Sequence, residues 1–328
     1  MRRTKAAIST LLTMMLMMLP ASPLIGQQFQ LRTRVDLVVV PFTVKGSDGE
    51  FITGLTKKDF TVYEDGEIQE IQQFSIDPIP LAAAVVIDTG VEAKWLISIQ
   101  ESIPAIVAAF SSLDEVAVYK YNDSVQKVGD FTSDREVLRA TLDTLGNIIP
   151  TQSTLGGQTA QPAPTTGVRP AVTTAVTPLR SDTRVLHDAV YESAIELRER
   201  APELRKVILL ISDGNSGDSE HNFADNLDRL IDSEIQVYAI SLAGFFNRVF
   251  SELRDYASWT GGERYVPRSS DALERAYADI TEQARNQYVL GYVSNNQAPP
   301  DDIVFRNIEV HPGKPYKVFH KQGYYQVP

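Results

Sequence analysis

The chain has no cysteine in 328 residues. That removes disulfides, thiolate metal ligands and cysteine nucleophiles together, and leaves the hydrophobic core to supply stability without covalent staples. Positive charge is in deficit: 31 Lys and Arg stand against 42 Asp and Glu, a formal net charge of −11. A surface of that sign repels phosphate backbones and anionic lipid, which argues against nucleic acid or a charged membrane face as a partner. Histidine is scarce as well. None of the 4 lies in a Gly-x-Ser-x-Gly turn, so no serine-hydrolase constellation is spelled out. The N-terminal apolar run, STLLTMMLMMLP, falls short of the roughly 20 residues that a spanning helix needs.

What is present begins with that run. Arg2, Arg3 and Lys5 precede it, and small residues follow in ASPLIGQ. A basic segment, a short apolar segment and small residues in that order read as a Sec signal peptide over residues 1–26; the alternative is an uncleaved N-terminal anchor. The expectation is a secreted or periplasmic protein with no membrane insertion after cleavage. Losing those three positive charges takes the net charge from −11 to −14.

The organisation changes twice along the chain. Residues 27–79 form a β-patterned N-terminal segment: VDLVVVPFTVK is rich in β-branched residues, and DFTVYEDGEIQEIQQFSI alternates about Asp65-Gly66, a hairpin signal. From about residue 80 to 285, strands alternate with helices. LAAAVVID and KVILLIS are near-continuously apolar, as central parallel strands are. Pro104 divides the helical stretch 92–110, and Ser133 with Glu136 has capping-box spacing before the helix that follows. The pattern predicts an α/β fold: a doubly wound, mostly parallel central sheet. Residues 286–328 return to strands, and the economical arrangement pairs them with the N-terminal segment in a small flanking β module. Within the α/β part, residues 151–180 are rich in Thr, Pro, Ala and Gly and almost uncharged, which predicts a flexible insertion.

Two of the apolar strands end in aspartate, Asp88 and Asp213. Ligands of open parallel sheets bind beyond the carboxyl ends of strands, so these carboxylates are the leading site candidates, with the loop SDTRVLHDA between them as a third contributor. Capping of a turn or helix is the plainer role for each aspartate. His187 stands near this loop and reads as a surface or packing residue. VIDTGV also matches the local hydrophobic-hydrophobic-Asp-Thr-Gly motif of aspartic proteases. That chemistry needs two carboxylates sharing a proton, and the second strand ends in Ser-Asp-Gly instead.

A strand ending in Asp, a helix, the strand DEVAVYKY, the loop before HDAVYESA and a strand ending ISDG together resemble a von Willebrand factor type A (vWA) domain over roughly residues 80–285. The flanks LTKKDFTVYEDGEIQEIQQF, ARNQYVLGY, FRNIEV and KQGYYQ resemble the secreted bacterial VWFA-related (Acidobacteria-type) family. The resemblance implies a Rossmann-like fold, a role in protein binding or cell adhesion, and a metal-ion-dependent adhesion site (MIDAS) that holds Mg²⁺ or Mn²⁺ by Asp-x-Ser-x-Ser, a Thr and a second Asp. Asp88 matches the first Asp and Asp213 the last. Gly90 and Glu92 occupy the two serine places, leaving Glu92 as a substitute ligand. The Thr falls at Thr183 or, aligned on His187-Asp188, its place is taken by Arg184.

The candidate metal set is therefore Asp88, Glu92, Thr183 and Asp213, a degenerate one, with Arg184 and Asp218 as further binding residues. One reading goes beyond the family pattern: Arg184 replaces the ion with its own guanidinium; the alternative is that Thr183 keeps the ligand place and Arg184 points to solvent. The function expected is a non-enzymatic adhesion or interaction module with an unidentified protein partner. A hydrolase built on Asp88 and a purely structural envelope scaffold are the alternatives.

Overall fold

The structure, a computed structural model, describes residues 37–76, 78–145, 184–217, 219–242, 251–296 and 301–327. The expected signal peptide 1–26, the expected flexible insertion 151–180, Thr183 and Asp218 lie outside the described residues.

The N-terminal strands are β1 (Leu37–Lys45), β2 (Phe60–Glu64), β3 (Glu67–Gln69) and β4 (Ile71–Ser75). The α/β part follows: β5 (Leu81–Asp88), α1 (Ala93–Glu101), α2 (Ile103–Ala109), β6 (Glu115–Tyr121), β7 (Val125–Thr132), α3 (Arg135–Asp143), α4 (Leu186–Arg198), β8 (Arg205–Ser212), α5 (Phe223–Asp232), β9 (Gln236–Ser241), α6 (Ser251–Thr260), β10 (Arg264–Tyr265) and α7 (Ser270–Arg285). The chain ends in β11 (Tyr288–Val293), β12 (Val304–Pro312), β13 (Lys317–His320) and β14 (Gly323–Gln326).

The central sheet runs β10-β9-β8-β5-β6-β7, parallel throughout except for the antiparallel edge strand β7. Every residue of β5 is buried, because both faces of the strand are covered. Leu81, Ala83, Val85 and Ile87 pack toward α1, α2, α3 and α7, while Ala82, Ala84 and Val86 pack toward α4, α5 and α6. The sheet grows from β5 to β6 in one direction and resumes at β8 in the other. The topological switch point therefore lies between the carboxyl ends of β5 and β8.

The flanking module is two four-stranded sheets, β13-β1-β11-β4 and β14-β12-β2-β3. They enclose Val40, Phe42, Phe60, Val62, Leu290 and Ile308, with Phe42 and Phe60 edge to face at 4.9 Å and Phe42 stacked on Tyr288 at 5.5 Å. Asp65 and Gly66 take φ values of 50° and 84° between β2 and β3, the backbone that a two-residue hairpin demands and that glycine adopts without strain. The C-terminal strands thus pair with N-terminal ones, β11 and β13 on either side of β1 and β12 on β2.

Some local readings change. The run after the hairpin is two strands: β3 stays beside β2, and β4 crosses to the other sheet beside β11. KVFH and GYYQ likewise separate, β13 to β1 and β14 to β12. Strand β7 escapes the sequence because it is a half-exposed edge with little apolar alternation. The α3 cap is Asp134, which accepts from the N–H groups of Glu136 and Val137, not Ser133.

Glu64 is fully buried in the sandwich, and among the described residues no cation is paired to it. Its carboxylate accepts from Tyr292 at 2.8 Å, Tyr324 at 3.0 Å and Asn296 at 2.8 Å, and from the Ser294 hydroxyl. Four donors from β11, the turn beyond it and β14 converge on one acceptor. Glu64→Ala should therefore leave buried donors unmet and lower unfolding free energy by about 3 kcal/mol in urea titrations, with Glu64→Gln recovering part of the loss. Equal stability of Glu64→Ala and the unaltered protein would show that the network is not holding the module together.

Candidate functional site

Asp88 is the last residue of β5 and Asp213 directly follows β8, so the parallel register of the two strands brings both carboxylates to one sheet edge. Asp88 is 0% exposed. One of its oxygens accepts from the Gly90 N–H at 2.8 Å; the other accepts from the Ser212 hydroxyl at 3.1 Å and from the Arg184 guanidinium at 3.2 Å. Ser212 in turn accepts from the Tyr121 hydroxyl at 2.7 Å and from the Gly214 N–H at 2.8 Å. Strand β6 thus contributes through Tyr121, and β8 through Ser212. Neither residue was singled out by motif; Ser212 sits one place before Asp213, and Tyr121 ends the predicted strand DEVAVYKY.

Arg184 is buried, at 4% exposure, and reaches across the switch point. The same guanidinium nitrogen that meets Asp88 also donates to Asp213, and the other terminal nitrogen donates to the Gly90 carbonyl. The backbone just after Arg184 is anchored by the Val185 N–H donating to the Asn122 carbonyl at 3.0 Å. Gly90 makes this possible: a Cβ there would lie 2.6 Å from Arg184 Nε and 2.5 Å from Asn122 Oδ1. Position 90 and the Arg184 guanidinium compete for one space, and a side chain at 90 would collide with the guanidinium.

Glu92 lies at the N-cap of α1, half exposed, with its carboxylate 2.9 Å from Lys94 Nζ. His187 is a packing residue: its Nδ1 is 2.9 Å from the Tyr256 hydroxyl, and burial lowers its pKa. Among the described residues, no group of three or more His, Cys, Asp or Glu is placed to hold a metal ion. The donor set leads the same way. Positions 90 and 92 carry no hydroxyl, and the space between Asp88 and Asp213 is taken by a fixed cation. With Arg184 in place, the described residues do not fit a divalent ion.

One guanidinium serves two carboxylates. Burial raises the Asp88 pKa, Arg184 opposes the rise and Asp213 adds to it, and the result is about 6 against an ordinary 3.8. Because the folded value lies above the unfolded one, the contribution of Asp88 to stability is greatest below about pH 4 and is lost as pH rises through 6. Relative to Asp88→Asn, the unaltered protein should lose about 1–3 kcal/mol of unfolding free energy between pH 4 and pH 6.5. Urea denaturation of both proteins at several pH values across that interval measures it. A pH-independent difference between them would rule out a raised Asp88.

No protein-family model matches the sequence, and no curated protein matches it. Solved structures of similar chain path include a von Willebrand factor type A protein from Catenulispora acidiphila, with 9% identity, 89% of this chain and 75% of that one covered, and a TM-score of 0.47. BatB from Bacteroides thetaiotaomicron matches at 12% identity, with 62% and 98% covered and a TM-score of 0.43. Proximal thread matrix protein 1 of the mussel byssus, solved with a zinc-occupied MIDAS motif, matches at 17% identity, with 67% of this chain covered and a TM-score of 0.44. The chain spans about half, 49%, of that mussel protein. These are likenesses of fold, and the chemistry of the site rests on its own geometry.

Proposed function

We propose that the chain is an exported, non-enzymatic adhesion or protein-interaction module of the secreted VWFA-related type, in which Arg184 permanently fills the place of a divalent ion. The observation that supports it most is the single buried guanidinium bonded to Asp88, Asp213 and the Gly90 carbonyl at the switch point. An arginine cannot exchange with solvent as Mg²⁺ or Mn²⁺ does, so the loops stay in one arrangement whether or not cations are present. Asp88 is fully buried and engaged on both oxygens, which leaves it no face toward a substrate and favours a binding role over hydrolysis. Export rests on the signal-peptide reading of residues 1–26, and the acidic surface suits a protein partner and not a nucleic acid. Among the described residues no helix is long and apolar enough to cross a membrane.

Arg184→Thr should destabilise the metal-free protein by roughly 3 kcal/mol, because two buried carboxylates lose their shared cation. Millimolar Mg²⁺ should then restore part of the loss through binding linkage, while the unaltered protein gains nothing from it. Gly90→Ser should be costly alone and much cheaper combined with Arg184→Thr, since the two side chains compete for one space. Unchanged melting temperatures for Arg184→Thr with and without Mg²⁺ would defeat the substitution reading. The interaction role is checked separately. Hydrolysis of peptide or ester substrates by the mature chain, abolished in Asp88→Asn, would overturn it, whereas retention of one envelope protein, reproduced with that protein purified, would support it.

A further inference from the structure

A cavity of about 580 Å³ opens between α4 and the hairpin of β6 and β7. Its apolar surfaces are Val125, Val185 and the ring of Tyr119. Carboxylates surround these: Asp188, Glu192 and Glu196 recur every fourth residue on α4, and Asp123 and Glu220 face them from two loops. Like charges at that helical spacing cost the helix a few tenths of a kcal/mol per pair, so this ladder is not there for the helix itself.

Part of the charge is answered internally. Lys127 Nζ meets Glu196 at 2.5 Å and Asp130 at 2.8 Å, and Asp188 accepts from the His221 ring and from the backbone of Glu220 and His221. Among the described residues, Glu192, Glu220 and Asp123 make no ion pair.

The floor of this cavity supplies an independent sign of a ligand. Tyr119 is only 2% exposed, yet among the described residues its hydroxyl has no hydrogen-bond partner of acceptable geometry. Burial, then the charge of Glu196 and the approach of that carboxylate to the hydroxyl outside good hydrogen-bond geometry, hold the phenol well above its ordinary pKa. Buried hydroxyls left unmet are uncommon and cost about 1–3 kcal/mol. An incoming N–H group would donate to the phenol oxygen and let its proton turn toward Glu196.

We infer that this cavity receives the cationic side chain, lysine or arginine, of a protein partner, its methylene stem lying along Val125 and Val185 and its head among the α4 carboxylates above Tyr119. Long basic side chains bury their stems on apolar walls while the charge stays at a polar rim, which is the layout here. The absence of a metal-holding group of His, Cys, Asp and Glu among the described residues separates this site from a divalent-ion site. That the partner is a protein rests on the interaction role proposed above; the cavity itself does not.

Calorimetric titration of the mature chain with acetyl-Gly-Lys-Gly-amide, acetyl-Gly-Arg-Gly-amide and the norleucine analogue tests it. We expect one saturable site for a basic peptide and none for norleucine. Glu192→Gln with Glu220→Gln should weaken binding several-fold, and so should Tyr119→Phe, which leaves net charge unchanged. Folding of each variant is checked by its melting temperature. Equal weakening by Glu70→Gln with Asp232→Asn would mean general attraction to an acidic surface and would overturn the site, as would undiminished binding by Tyr119→Phe or stoichiometric displacement of the peptide by Ca²⁺. Binding that survives Arg184→Thr keeps this inference separate from the ion-replacement reading. A peptide site with no protein partner in the envelope would overturn the interaction role while the cavity's chemistry stands.

Discussion

The geometry of the sheet edge depends on one guanidinium shared by two carboxylates. Asp88 and Asp213 are brought together by the parallel register of β5 and β8, and without a cation their charges would repel inside a low-dielectric crevice. Arg184 meets both and ties them to the Gly90 carbonyl. The three loops at the switch point are thereby fixed to one another: the β5 loop through Asp88 and Gly90, the loop before α4 through Arg184, and the β8 loop through Asp213. The balance is incomplete, since one positive charge faces two negative ones, and the raised pKa of Asp88 expresses that residue of repulsion together with its burial.

The rest of the fold serves this edge by being rigid. Strand β5 is buried along its whole length, with three consecutive alanines divided between the two faces, and helices cover both. The β module is joined to the α/β part at several places. Lys45 reaches Glu263 at 2.6 Å and the Tyr265 hydroxyl at 3.0 Å with its charge also over the Phe51 ring, and Gln287 reaches the Tyr238 hydroxyl at 3.1 Å. Such contacts, with partners far apart in sequence, make the strands at the two ends of the chain a single clamp on the α/β core. Glu64 performs the equivalent task within the sandwich with hydroxyl and amide donors in place of a cation.

The switch point and the acidic cavity treat charge in opposite ways. At the first, an internal arginine bonds both carboxylates and lies between them. At the second, beside it along α4, the described carboxylates on the helix and loops exceed the described cations that face them, and a buried phenol finds no partner of good geometry among the described residues. A crevice whose carboxylates already share a buried cation has less to offer a ligand than a cavity in which the described carboxylates outnumber the cations facing them. On this reading the surface asks for a basic side chain.

The sequence by itself determined the element pattern of the α/β part, because central parallel strands must be apolar on both faces and their helices amphipathic, and both periods are visible in LAAAVVID, KVILLIS and the segments between. It also determined that Asp88 and Asp213 end strands, and that Asp65-Gly66 turns a hairpin. The edge strand β7 was not legible, since a half-solvated strand needs no apolar alternation; nor were the crossings of β4 and β14 between sheets, which depend on which edge is free once the sandwich closes. At the site, the sequence offered Thr183 and Arg184 as rivals for one place. Tertiary structure decided that Arg184 turns inward, because Gly90 leaves a space that only the packed loops define and two carboxylates from distant strands supply the charge to hold it. The roles of Tyr121, Ser212 and Tyr119 came from tertiary structure alone. A hydroxyl at the end or middle of a strand carries no local signal of its partner, and what it meets is set by the neighbouring strand and helix.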